Sequence, residues 1–288
     1  MKKVLVTGAD GQLGRELKKL HDRFGLDCVF TDVKELDITD RESISSILSS
    51  GPPAYIINCA AYTDVDGAES EPEQSRLLNR DAVANLRDCL DRFPETRLIH
   101  LSTDYVYRGN LVRPLKEDDP AEPESVYGKT KLEGELLVHD HPRAIVIRTS
   151  WLYSVFGRNF VKSMINRMDR YDDMMVVYDQ VGTPTHAEDL AGAILQIIAD
   201  VESGKSAFVP GVFHYSNEGV CSWYDLAMEV CRLIHCRGRV IPIETADYPR
   251  PAKRPAYSVL SKSKIRNTYG VEVPYWRESL ERCINNLL

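Results

Sequence analysis

Three glycines, Gly8, Gly11 and Gly14, come directly after the apolar run KVLVT and open an amphipathic segment, spaced G-x-x-G-x-x-G. This feature constrains the fold more than any other. At the end of a buried strand the backbone has to turn tightly. A pyrophosphate drawn to the N–H groups of the next helix needs room that a side chain would fill. Glycine triplets also occur in plain turns. The strand before and the helix after, all within residues 3–24, make this one a dinucleotide loop.

The chain keeps the same rhythm as far as residue 149. Apolar runs at 28–32, 55–59, 97–102 and 144–149 alternate with helical patterns at 12–24, 41–48, 73–92 and 127–139. Strands that are apolar throughout, separated by helices, indicate an α/β fold, a Rossmann-type doubly wound parallel sheet covered on both faces. Beyond about Trp151 the alternation loosens. Helices are expected at 160–168, 188–201, 223–234 and 279–288, short strands near 175–178, 213–216 and 240–243, and a loop in the Pro-rich YPRPAKRP. Residues 1–150 therefore read as an NAD(P)-binding Rossmann domain, rejoined by parts of 186–215. Residues 151–288 read mainly as a smaller α/β substrate-binding domain at the carboxyl edge of the sheet, where open α/β sheets bind ligands.

Composition excludes several classes. A formal net charge of -7 argues against a general nucleic-acid binder, which would show a basic face. No run of about 18 apolar residues is present, so no membrane span is expected. The seven cysteines include no C-x-x-C pair and lie mostly in apolar runs, so they read as reduced core residues of a cytoplasmic protein. The histidines show no metal-ligand spacing, and His186 and His214 read as structural.

Asp32 ends the second strand. An acid there can accept the adenosine ribose hydroxyls, which favours NADH, or it is a solvated strand-end residue. Lys34 beside it softens the preference, so both NADH and NADPH are expected to serve. Asp37 and Ile38 either flank the adenine or form a plain loop.

The chemistry sits further on. Tyr127 and Lys131 are four residues apart in VYGKTKLEGE and share one helix face. An ordinary phenol titrates near pH 10, and a neighbouring ammonium stabilises the phenolate and lowers that value. Upstream, LSTDYVY places Ser102 or Thr103 at a strand end, with a hydroxyl aimed at the sheet's carboxyl edge. Glycine loop, strand-end hydroxyl and Tyr–Lys helix stand in the order of the short-chain dehydrogenase/reductase superfamily.

Within that superfamily the chain resembles the dTDP-4-dehydrorhamnose reductase family over essentially its full length. The segments that carry the resemblance are VTGADGQLGREL, INCAAYTDVDGAESEPE, STDYVY, YGKTKLEGE, RTSWLY, DQVGTPT, FHYSNEGVCSWYDLA and YPRPAKRP. The resemblance implies reduction by a nicotinamide cofactor of the C4 ketone of dTDP-4-dehydro-β-L-rhamnose, giving dTDP-L-rhamnose. It implies pyrophosphate contacts at Gly11, Gln12 and Leu13, and cofactor ribose contacts at Ala61, Tyr62 and Thr63. It makes Tyr127 the proton donor, Lys131 its electrostatic partner, and Thr103 the hydroxyl on the substrate carbonyl. Asp104, Trp151 and Asn159 match substrate contacts, although Trp151 also reads as domain-interface core. Arg250, Lys253 and Arg254, cations between prolines, read as an anion clamp for the substrate pyrophosphate or as a solvated basic loop.

Part of that family holds Mg²⁺ between glutamates at a dimer contact. Glu16 and Glu188 keep two of those positions and Asn286 stands at the third, so no bound metal is expected, and any homodimer would rest on helix packing. Two other activities compete. A dehydratase of this fold needs a carboxylate after Thr-Asp, where this chain has Tyr105. An epimerase needs only the Tyr–Lys pair and a tightly held cofactor. A non-catalytic dinucleotide-binding subunit would have no use for Thr103, Tyr127 and Lys131 together.

Overall fold

A computed structural model describes residues 2–49, 51–168 and 173–288. Six parallel strands form the main sheet: β1 (Lys3–Thr7), β2 (Asp27–Thr31), β3 (Tyr55–Asn58), β4 (Arg97–Thr103), β5 (Ala144–Thr149) and β6 (Gly211–His214). Their order is β6-β5-β4-β3-β1-β2, so the chain winds one way from β1 to β2 and the other way from β3 onward. The reversal between β1 and β3 opens a crevice at the carboxyl ends of these strands, the usual ligand position in such sheets.

The strands are buried on both faces, as their unbroken apolar runs require. Val4 and Val6 point into one core with Ile57, Ile99 and Ile147, under α1 (Gln12–Leu20) and α5 (Ala187–Glu202). Leu5, Ile56, Leu98 and Val146 point into the other, under α2 (Arg41–Ser49), α3 (Ala82–Arg92) and α4 (Val126–Val138). The chain beyond 151 returns to this sheet twice, with α5 packed on α1 and β6 paired to β5.

A third core lies apart from the sheet. It joins Tyr153, Val161, Met174, Leu226, Val230, Trp276 and Leu280, from the helices Phe160–Met168, Trp223–Leu233 and Trp276–Asn285 and from short strand pairs. Met174–Val177 pairs with Val240–Ile243 in parallel, Val181–Gly182 with Cys221–Ser222 antiparallel, and Leu152–Tyr153 with Thr185–His186 in parallel. This is the smaller α/β substrate-binding region.

Several expected elements change form. The helix expected over 12–24 ends at Leu20 and tightens into a 3₁₀ turn, His21–Phe24, stopped by Gly25 at φ 63°. The helix expected over 73–92 is interrupted by a π-turn at Leu77–Asp81 that carries Asn79 inward. A helix at Ser263–Tyr269 was not expected, and the last helix starts at Trp276, ahead of residue 279. The cysteine reading also needs correction. Cys231 and Cys236 are joined in a disulfide, because the helix stops at Leu233 and His235, at φ 52°, turns the chain back until the Cα atoms lie 4.9 Å apart. Cys28 and Cys59 are only half-buried, whereas Cys89, Cys221 and Cys283 are core residues. Among the described residues, no helix is long and apolar enough to cross a membrane.

Candidate active site

A cleft of about 1000 Å³ runs along the carboxyl ends of β1, β3, β4 and β5 and under the smaller region. Its floor starts at Gly8, where β1 ends and the backbone takes φ 65°. A Cβ at Gly8 would stand 2.6 Å from the Ala60 nitrogen, and one at Gly14 would stand 2.5 Å from the Gly8 carbonyl oxygen. The loop therefore lies against the chain leaving β3 in a way only glycine allows. Gly11 caps α1 with no side chain over the helix N-terminus, so the N–H groups of the first turn are left facing the cleft. This cradle fits a dinucleotide.

Gly8, Gly11, Gln12, Leu13, Gly14, Asp32, Asp37, Ile38, Ala61 and Thr63 all line the cleft. Asp32 is already engaged in shaping the loop, accepting from the Asp10 N–H at 2.8 Å and from the Val33 N–H at 2.8 Å. Asp37 accepts from the Thr39 N–H and hydroxyl. Tyr62 is absent from the lining. Its hydroxyl donates to Glu71 at 2.8 Å, and its N–H donates to Asn79 at 2.9 Å, which ties the loop after β3 to the π-turn.

Thr103 ends β4, opposite Thr149 of β5. Its hydroxyl lies 3.2 Å from the Asp104 carboxylate and accepts from the Tyr105 N–H. Ser102, the other candidate hydroxyl, is taken: it donates to Glu135 at 2.7 Å. Tyr127 and Lys131 lie on the inner face of α4, both buried. The Lys131 ammonium donates to the Leu101 carbonyl at 2.6 Å. Burial pushes the Tyr127 phenol up to about 12; the Thr103 hydrogen bond opposes the rise and the Asp104 charge adds to it. The lowering expected from Lys131 is not found: burial, Thr103 and Asp104 set the shift. Burial likewise brings Lys131 down to about 8, chiefly against the pull of Glu135. Asp104 is pushed up to about 6 by burial, against hydrogen bonds from Ser258 and Thr103.

The far wall is aromatic. Trp151 adopts a left-handed backbone at φ 47° and stacks on Trp223 at 3.7 Å and 11°, with Phe160 tilted against Trp223. Gly182 lies under the Trp151 ring, where a Cβ would come within 2.7 Å. Trp223 and Phe160 line the cleft yet carry no sequence signal of their own, since an apolar helix start reads as core. Arg158 lines the cleft with no ion-pair partner among the described residues.

Four expected substrate residues are held elsewhere. Asn159 donates to Gln12 at 2.9 Å and to the Ser154 carbonyl at 2.7 Å, joining the smaller region to the glycine loop. Arg250 and Arg254 both grip Asp66, and Lys253 donates to Glu124 at 2.6 Å. Burial works to raise the Asp66 carboxyl, but hydrogen bonds from Arg254, Ala252 and Arg250 outweigh it and hold it at about 2.

Away from the cleft, Glu16, His186 and Glu188 place potential ligand atoms within 4.8 Å of one another, while Asn286 is exposed at the end of the last helix. Lys19 already sits between the carboxylates, 2.8 Å from Glu188 and 3.7 Å from Glu16. Mg²⁺ prefers an octahedron of oxygens. Lys19 offsets one of the two carboxylate charges, Glu16 Oε2 and both His186 ring nitrogens keep no hydrogen-bond partner among the described residues, and the imidazole makes the set depart from the all-oxygen shell that Mg²⁺ prefers.

The profile of the family described as RmlD substrate binding domain matches residues 1–288. The chain is 41% identical over 286 residues to a probable dTDP-4,6-dihydroxy-2-methyloxan-3-one 4-ketoreductase of Streptomyces antibioticus, covering 99% of this chain and 95% of the relative. Among solved structures it superposes on a dTDP-4-dehydrorhamnose reductase of Clostridium acetobutylicum with a TM-score of 0.92 at 41% identity, covering 99% of each chain. The dTDP-4-dehydrorhamnose reductase of Bacillus anthracis, solved in complex with NADP, gives a TM-score of 0.92 at 33% identity, again over 99% of each chain.

Proposed function

The chain belongs to the RmlD substrate binding domain family, and from that premise we propose that it is a dTDP-4-dehydrorhamnose reductase. It reduces the C4 ketone of dTDP-4-dehydro-β-L-rhamnose to dTDP-L-rhamnose with NADPH or NADH. The observation that carries this reading is one cleft holding the glycine loop, Thr103, Tyr127 and Lys131 together.

The bound nicotinamide cofactor would supply the hydride, held by Gly8, Gly11, Gln12, Leu13 and Gly14 at its pyrophosphate and by Asp32, Asp37 and Ile38 at its adenosine end. The chain supplies the proton and the orientation. Tyr127, with its phenol raised by burial, holds a proton at neutral pH and gives it to the carbonyl oxygen. Thr103 donates to that same oxygen and orients it. Lys131 offsets the phenolate left behind. Trp151, Asp104 and Arg158 face the nucleotide sugar, Arg158 as the cation for its diphosphate. Asn159, Arg250 and Arg254 brace this site from outside the cleft.

A dehydratase reading lacks its acid, since Tyr105 stands at that place. The Streptomyces antibioticus relative favours a second substrate within the same class, a different dTDP-keto sugar reduced at C4. Initial rates with NADPH and NADH on both keto sugars decide the matter. Turnover confined to the second sugar would move the assignment. Absence of turnover on any keto sugar, or turnover with no added cofactor, would overturn it.

A further inference from the structure

Behind the Tyr127–Lys131 pair lies a buried chain of charge that this mechanism does not use. Glu135 is one helical turn beyond Lys131 on α4 and is 1% exposed. Its carboxylate accepts from the Ser102 hydroxyl at 2.7 Å and from the Arg148 guanidinium through Nε at 3.1 Å and through Nη2. Arg148, itself 5% exposed, lies on β5 and donates onward to the Tyr107 hydroxyl, which meets His214 Nε2 at 2.8 Å. An ion pair this deep is poorly explained by stability alone, because desolvation offsets most of its attraction. What singles it out is where its third partner sits. Ser102 lies between Leu101, whose carbonyl holds the Lys131 ammonium, and Thr103, which faces the reacting oxygen.

We propose that Glu135 is a positioning residue for the proton transfer. Through Ser102 it pins the end of β4 against α4, which sets the Thr103-to-Tyr127 geometry, and its charge keeps Lys131 an ammonium. Arg148 holds Glu135 in place through its paired hydrogen bonds. The inference rests on the reading of Tyr127 and Lys131 as the proton-transfer pair.

The other groups facing Lys131 leave this part to Glu135. Burial holds His100 neutral and pushes the Cys59 thiol up to about 12, so neither carries charge near neutrality. Asp104 lies beyond Tyr127, and Arg148 is spent on Glu135.

The test is the pH profile of kcat/KM for keto-sugar reduction in Glu135→Gln, with Tyr127→Phe as control. Loss of the carboxylate lets Lys131 shed its proton more easily, so the alkaline limb is expected to move down by about one pH unit or more. Cofactor affinity measured below that limb should stay unchanged. Glu135→Asp should restore part of the shift. A folded Glu135→Gln enzyme with the wild-type limb would overturn the proposal. If that variant does not fold, Ser102→Ala, which removes the strand tie and no charge, decides: a kcat at least tenfold lower with unchanged cofactor affinity supports it, and wild-type kcat overturns it. A Tyr127→Phe control that keeps its activity would overturn the functional reading, a result distinct from either.

Discussion

At Tyr127 burial drives the phenol up to about 12, so the group holds its proton at neutral pH, while Lys131, brought down to about 8, loses some of its charge near neutrality. Tyr127→Phe keeps the ring and removes the proton. It is expected to lose about 10²–10⁴ in kcat with cofactor affinity intact, and Lys131→Met to lose both. Steady-state rates with cofactor titrations check this, and a Tyr127→Phe enzyme above half the wild-type kcat would take Tyr127 out of the mechanism. Trp151 is set by its neighbours: the stack on Trp223 and the bare Gly182 beneath it. A Cβ at Gly182 would push the ring aside, so Gly182→Ala is expected to raise the sugar-nucleotide KM roughly tenfold and leave the cofactor KM alone. An unchanged KM would show that the ring does not touch the substrate. The Tyr–Lys spacing was readable from the chain. That Ser102 is spent on Glu135 was not, because two adjacent hydroxyls differ only in which partner the fold brings to each; only the resemblance had singled out Thr103.

Among the elements, the seam between α4 and the π-turn Leu77–Asp81 holds the site's back wall. Asn79 projects from the π-turn to the Tyr62 N–H at 2.9 Å and to the Thr130 hydroxyl at 3.1 Å. Gly134 lets α4 approach so closely that a Cβ there would lie 1.9 Å from the Asn79 carbonyl oxygen. Gly134→Ala would ordinarily favour a helix; here overpacking is expected to cost about 1–3 kcal/mol. A thermal melt should show the loss, and a melting temperature at or above the wild type would refute the close contact. The helix pattern at 73–92 was legible in the chain, but its one-residue widening was not. A π-turn leaves no mark in apolar periodicity, and the reason for it, a buried Asn reaching the loop after β3, exists only once α4 is docked.

For the whole molecule, acid stability should report the buried imidazoles. His214 has its pKa lowered to about 3 by burial and by the Arg148 charge, against an unfolded value of about 6.5. Between those values the unfolded chain binds a proton that the folded chain refuses, so stability present above pH 6.5 is lost as pH falls toward 3. Asp104, raised to about 6, works in the opposite sense below that pH, so the comparison has to be with a variant. Urea midpoints at pH 7 and pH 5 are expected to fall for the wild type relative to His214→Gln; equal slopes would remove His214 as a source. We also propose that no Mg²⁺ supports the assembly, with Lys19 serving Glu16 and Glu188 in its stead. Dialysis against EDTA should leave activity and sedimentation unchanged, and loss of either, restored by added Mg²⁺, would reverse this.

Local pattern determined the α/β class, the glycine loop and the Tyr127–Lys131 face, because each depends on a period or a spacing shorter than one element. The partners of the long polar side chains were decided by tertiary structure. Arg250 and Arg254 read as cations for a ligand, and Asp66, far away in the chain, takes both. His186 read as a structural imidazole, and the packing of α1 against α5 brings Glu16 to it and to Glu188 beside it. Cys231 and Cys236 read as separate thiols until a left-handed residue folded one back on the other. A charge or a thiol close to several possible partners takes the one that packing delivers, and packing is set by the apolar faces of whole elements rather than by the residues alongside it.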